Sequence, residues 1–249
     1  MFRRWWFVKL LRGAEPQPGR PRGRLSREQQ ELVLREWEVL RDRLAAYAGE
    51  RVTTAGELFR AAELQLPPEE DGPRRDYLWA LEAYEASGRL LDEAADLPDL
   101  AAAVVLAERA VERLAAAHAA HAGARPHPPA LRCFYNPLHP PVPAAPAPRT
   151  GKKARQRPHH SAREAAADRR PACHDCRKAI LAGQQPDILP ALLPAGATGR
   201  RSPRVLVPYF AVPQQWSPWS ATACGAYDDT APALVLRGEH RRRTTAPSP

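Results

Sequence analysis

Proline sets the first limit on this chain: 21 of its 28 prolines fall within residues 124–249 and only 4 within residues 26–123. A proline inside a helix removes a main-chain donor and clashes with the preceding turn, at about 3 kcal/mol or more. Long helices are therefore confined to the first half. Leu, Ile, Val and Phe together supply only 46 of the 249 residues, a fraction at which one large apolar core is out of reach. Any core must be small and local, and alanine must furnish much of it.

Within residues 26–123 the apolar residues follow helical spacing. Ser26-Arg-Glu-Gln29 has the form of a capping box, and Val33, Trp37, Leu40, Leu44 and Tyr47 then recur at intervals of 4 and 3 up to Gly49. Thr54-Ala-Gly-Glu57 repeats the cap ahead of a shorter helix through Leu58, Ala61, Ala62 and Leu66, closed by Pro67 and Pro68. From Arg74 the stripe resumes as Tyr77, Leu81, Tyr84, Gly88 and Leu91, with Gly88 offering a close helix approach. Asp96-Leu-Pro-Asp99 places an N-cap acid, an early proline and a second acid at a helix start. Leu100, Val104, Ala107, Val111 and Leu114 carry that helix to Ala122, where Gly123 stops it. The expected fold is mainly α, a helical hairpin or three-helix bundle with coiled-coil spacing, followed by a small Pro-rich α+β module of zinc-knuckle type. Disordered linkers and tails complete it. Residues 26–122 are expected to be stable when expressed alone.

Charge divides the chain the same way. Residues 1–25 carry a net +6, residues 26–123 a net −9 and residues 124–249 a net +12, within an overall +9. Docking of the basic arms on the acidic bundle follows as an expectation, weakened by salt. The cations are 33 Arg against 4 Lys, the skew of a GC-rich genome, so arginine abundance by itself is poor evidence for phosphate binding. Boundaries are placed at 1–25 for a flexible basic aromatic arm, 26–123 for the acidic helices and 124–142 for a first knuckle. A disordered basic linker over 143–170, a CxxC module over 171–240 and a basic tail over 241–249 follow.

Two islands survive among the prolines. The first is Cys133-Phe-Tyr-Asn-Pro-Leu-His139; the second is Cys173-His-Asp-Cys176, running into a short helix that Gly183 stops. A CxxC whose second cysteine opens a helix is the usual second half of a treble-clef zinc site, and paired thiolates on a tight turn supply half of a tetrahedral shell. Cys133 and His139 complete the set, giving Cys133, His139, Cys173 and Cys176 as candidate ligands of a structural zinc. Inert thiols and a redox CxxC are the competing readings, the latter without a βαβ pattern around it. Cys224 reads as a small packed residue, His174 as solvent-facing, His118 and His121 as cations suited to a helix C-terminus, and Asp228 and Asp229 as solvated turn acids. Val205–Val212 reads as an edge strand or hairpin covered by Trp216 and Trp219.

The islands, with Gly183-Gln-Gln-Pro-Asp187, Pro208-Tyr-Phe210 and Trp219-Ser-Ala-Thr-Ala-Cys-Gly-Ala-Tyr-Asp-Asp229, resemble the C-terminal segment of an uncharacterised family of actinobacterial proteins. That segment has the form CFFNPLH, VPxCxxC, GxxPD, YF and WaxTGyGalxxD, after a helical N-terminal region. The resemblance covers roughly residues 75–240 and implies no activity. This chain departs from it in a basic insertion near 149–170 and in placing Cys224 before Gly225.

Four cysteines are too few for a disulfide scaffold, so a reducing, cytoplasmic setting is expected. The opening Met1–Arg12 is basic and aromatic, but Lys9 breaks its apolar run and no small-residue cleavage site follows, so it does not read as a signal peptide. Residues 2–12 suit peripheral contact with a membrane at most. No Ser/His/Asp set, glycine loop or paired carboxylate stands in a catalytic setting, so an enzyme is not expected. The leading reading is a non-enzymatic scaffold or adaptor with a protein partner. The alternative is nucleic-acid association through the Arg-rich arms, weak and salt-sensitive.

Overall fold

The computed structural model describes residues 27–62, 71–142, 170–194 and 204–241. The N-terminal arm, the basic linker, the tail beyond Arg241, the Ser26 cap and the docking of the arms lie outside the described residues. The protein is mainly helical, with three long helices packed together and a small Cys/His knuckle-like region. It divides into two compact units, residues 1–129 with 189–249, and residues 130–188.

In the first unit, α1 (Arg27–Ala61), α2 (Asp71–Glu93) and α3 (Leu97–His121) form the bundle, and α1 and α2 both pack on α3. The start of α3 was legible in its cap. Asp96 accepts from the Leu97 amide and closes a capping box with Asp99. From Leu97 to Ala107 every residue is buried, and all but Asp99 are apolar, the pattern of a helix enclosed by its neighbours. Leu97, Leu100, Val104, Val105 and Leu106 are its large buried members, each contributing about 1.5–3 kcal/mol on burial.

Two details depart from the spacing. Helix α1 does not stop at Gly49 but runs unbroken to Ala61. Thr54 does not cap a new helix; its hydroxyl donates back to the Glu50 carbonyl at 2.8 Å, an arrangement that leaves the ladder continuous. Helix α2 buries Ala80, Ala83, Ala86, Ser87 and Leu90 rather than the Tyr77–Leu91 stripe. Those small residues let α2 sit close, while Tyr77 and Tyr84 flank the seam and pack at a tilt against Phe59 of α1, with centroids 6.4 and 5.4 Å apart. The close approach falls at Gly56, where an added Cβ would lie 2.5 Å from the Tyr84 hydroxyl; at Gly88 it would meet nothing within 4 Å.

The same unit takes in the C-terminal segment, which the sequence boundary at 171–240 had joined to the CxxC helix. Strands β1 (Pro190–Pro194) and β2 (Arg204–Pro208) pair antiparallel, Leu192 opposite Leu206, with prolines at the strand ends where no ladder bond is lost. A two-stranded ribbon is marginal alone. Here β1 packs on α3 and β2 on α1. After a single 3-10 turn at Tyr209–Ala211 come two short helices, one at Trp219–Thr222 and one at Ala231–Leu236, the latter against α2.

Buried carboxylates explain why this segment belongs with the helices. Asp96 accepts from the Trp37 indole at 2.8 Å and the Leu192 amide at 2.9 Å, and Asp99 accepts from the Trp219 indole at 2.8 Å. Trp219, Thr222, Gly225 and Asp229 of this segment each have a structural task. The Thr222 hydroxyl accepts from the Gly225 amide at 3.1 Å. Gly225 stands at φ +82°, after Ala223 and Cys224 at +49° and +57°. Asp229 stays exposed, as expected of a turn acid, and also pairs with Arg109 and, at 2.8 Å, with Arg113, whose guanidinium groups lie over the Trp79 ring.

Candidate metal centre

The second unit is built around the two islands. Asn136 shapes the first: its carbonyl accepts from the His139 amide at 3.0 Å and its side chain from the Leu138 amide at 3.1 Å. That turn folds His139 back beside Cys133. In the second island Cys173 stands at the N-cap of α4 (His174–Leu181), and Cys176 lies in the first turn. The Phe134 amide donates to the Pro171 carbonyl at 2.7 Å and ties the islands together. Arg170 lies 4.1 Å over the Phe134 ring.

The structure thus brings together all four sequence-predicted ligands. One ligand atom each from Cys133, His139, Cys173 and Cys176 lies within 4.8 Å of the other three, so the group could hold a metal ion. His139 Nδ1 is 3.4 Å from both the Cys173 and the Cys176 sulfur. Around a tetrahedral zinc with bonds of about 2.3 Å to sulfur and about 2.0–2.1 Å to nitrogen, neighbouring ligand atoms stand roughly 3.5–3.8 Å apart. The two imidazole–sulfur separations lie close to that edge length, and the Cys and His donor chemistry is consistent with zinc. All four cysteines are free thiols.

Electrostatics couple these groups to one another. The Cys133 thiol is drawn down to about 3, first by the hydrogen bond from Cys176 and against the cost of burial. Cys176 is pushed up, first by that same bond and then by burial. For His139 burial disfavours the charged ring, but the Asp187 and Cys133 contacts prevail and raise it to about 10. Metal binding to thiols and an imidazole displaces their protons, so affinity at such a set depends on pH.

The buried apolar cluster here consists of Cys133, Ala172, Cys173 and Cys176, with Tyr135 and Val142 packed at its edge. The candidate ligands are therefore most of the core. Among the described residues no other group of three or more His, Cys, Asp or Glu has metal-holding geometry. His174 is exposed, as expected, and His118 and His121 join no such group. Cys224 is fully buried, and burial pushes its thiol up, with the Asp99 charge adding to the effect. Sequence reasoning did not give Asp187 a role; the GxxPD motif pointed to it without showing what it faces. Compared with protein-family models, curated proteins and solved structures, the chain finds no match.

Proposed function

We propose that this protein is a non-enzymatic scaffold or adaptor whose residues 130–188 are held folded by one structural zinc ion. The observation that carries the reading is the closed set of four protein donors, Cys133, His139, Cys173 and Cys176, whose ligand atoms all lie within 4.8 Å of one another. A catalytic zinc keeps one position for water or substrate, whereas a set of four side chains fills the shell. The thin core supports the same reading, because with so little apolar area the metal must supply folding free energy, about 10–16 kcal/mol in small finger peptides. The motif residues Trp219, Thr222, Gly225 and Asp229 support a scaffold, since each is engaged in packing or hydrogen bonding. Four free thiols suit a reducing compartment such as the cytoplasm.

Metal analysis of the purified chain tests the proposal. One zinc per chain is expected, lost in Cys173→Ser and in Cys176→Ser together with the proteolytic protection of residues 170–188. A metal-free chain with that region fully protected would overturn it.

A further inference from the structure

The segment after α4 has a task that the four ligands leave open. Helix α4 ends at Leu181, the Gln184 amide donates back to the Ala179 carbonyl at 2.8 Å, and Pro186 leads the chain to Asp187. That return sets Asp187 beside the cluster in two ways. Its main-chain oxygen lies 3.8 Å from the Cys176 sulfur, and its carboxylate Oδ2 lies 3.4 Å from His139 Nε2.

The two nitrogens of His139 therefore face different partners, Nδ1 the sulfurs of Cys173 and Cys176 and Nε2 a carboxylate. A neutral imidazole carries one N–H, and the nitrogen that gives its lone pair to a metal must be the other one. In the neutral, metal-binding form of the ring an acceptor at Nε2 fixes the proton there and leaves the Nδ1 lone pair on the side of the sulfurs. Without that acceptor both tautomers compete, and the ring can turn about its Cβ–Cγ bond to present Nε2 instead.

We propose that Asp187 is the positioning residue of the metal centre, holding His139 as the Nε2–H tautomer so that Nδ1 is the metal-binding atom. The inference rests on the metal reading given above and assigns the acidic end of the GxxPD motif to it. The side chain of Asp187 is 47% exposed while that of His139 is 16% exposed. Asp187 thus reaches in from the rim, where water screens its charge against the thiolates, and acts through the ring without joining the ligand shell. Outer carboxylates of this kind orient the ring and raise its basicity, and losing one typically costs about 10- to 100-fold in metal affinity.

The test compares the full-length zinc-loaded chain with Asp187→Ala and Asp187→Asn, by competition for zinc against a chromophoric chelator and by long-range 1H–15N correlation of the His139 ring. Affinity is expected to fall about 10- to 100-fold in Asp187→Ala. Asp187→Asn, which keeps an acceptor oxygen of the same size in place, should fall between Ala and wild type and guards against loss of fold. The wild-type ring should show Nδ1 bound to metal and a proton on Nε2. Unchanged affinity in both variants, or a ring bound through Nε2, overturns the role of Asp187 while the metal site stands. A wild-type chain that takes up no zinc overturns both readings together.

Discussion

The indole nitrogen of Trp219 donates to Asp99 Oδ1 at 2.8 Å, across 120 residues of chain, and both side chains are buried. Asp99 Oδ2 meanwhile accepts from the Ala95 and Asp96 amides, each at 3.0 Å. One carboxylate thus caps α3 from within and fastens the C-terminal segment from without. Trp219→Phe keeps most of the ring volume and removes only the donor. Hydrogen bonds to charged groups contribute about 1.5–3 kcal/mol. A loss of that size is expected in urea unfolding, and an unchanged midpoint would show that Asp99 finds another partner.

Truncation after Gly123 tests the same relationship on a larger scale. The helices alone would lose the Trp219 and Leu192 donors to Asp99 and Asp96 and uncover the α3 faces that β1 and Trp219–Thr222 now cover. Contrary to the expectation drawn from the apolar stripes alone, residues 26–122 should be markedly less stable than the same helices with residues 189–241 present. Circular dichroism melting of the two forms measures the difference; equal melting temperatures would return the bundle to independence.

Two glycines should respond in opposite directions. At Gly88 an added Cβ meets nothing within 4 Å, and alanine is favoured over glycine in a helix interior by about 1 kcal/mol. Gly88→Ala should therefore stabilise the protein. At Gly225, with φ +82°, the Cβ would stand 3.1 Å from that of Ala231. Gly225→Ala should destabilise by about 1–3 kcal/mol, from backbone strain together with that contact. Thermal unfolding of the two variants decides, and a common sign would contradict the local geometry.

These contrasts show what was legible before the structure. Local rules found the Asp96 cap and the glycine stops at Gly123 and Gly183, because each depends on residues within one turn. They also picked out the four residues that stand close enough to hold a metal ion, because metal chemistry restricts the residue types so severely. They failed where alanine decides the packing: Ala80, Ala83 and Ala86 carry no signal beside Tyr77 and Tyr84, though they form the buried face of α2. They failed again for Asp96 and Asp99, whose cap roles are local but whose other donors, Trp37, Leu192 and Trp219, lie 59, 96 and 120 residues away. Contacts that distant leave no local mark, so the sequence groups the segment from Leu189 onward with the nearer cysteines.

Acid should loosen the end of this segment. Glu93 accepts from Arg241 Nη2 at 2.8 Å, His240 Nε2 lies 3.1 Å from it and Arg89 Nε 3.2 Å. The Arg241 contact above all, then that of Arg89, lowers the Glu93 carboxyl to about 2 against the opposing effect of desolvation. A carboxyl lowered by folding contributes its stabilisation above its unfolded value of about 4.3, and that contribution fades as pH falls toward the folded value. Hydrogen exchange at residues 237–241 should therefore differ between wild type and Glu93→Gln above about pH 4.5 and converge near pH 2. A difference that persists undiminished at pH 2 would assign the tether to some other group.

Metal removal offers the sharpest separation, because the reporters are divided between the two units. All six tryptophans, at positions 5, 6, 37, 79, 216 and 219, lie outside residues 130–188, whereas three of the four cysteines, Cys133, Cys173 and Cys176, lie inside them. If zinc replaces an apolar core in the smaller unit, chelation should expose those three thiols to a thiol reagent. Tryptophan emission and helical dichroism should stay nearly constant. Cys224, buried beside Asp99 in the helical unit, should react only on global unfolding. Three thiols titrating quickly after chelation and a fourth only in denaturant is the expected count. Four reacting together would mean that the metal holds both units, and none reacting until denaturant is added would mean that residues 130–188 stay folded without it.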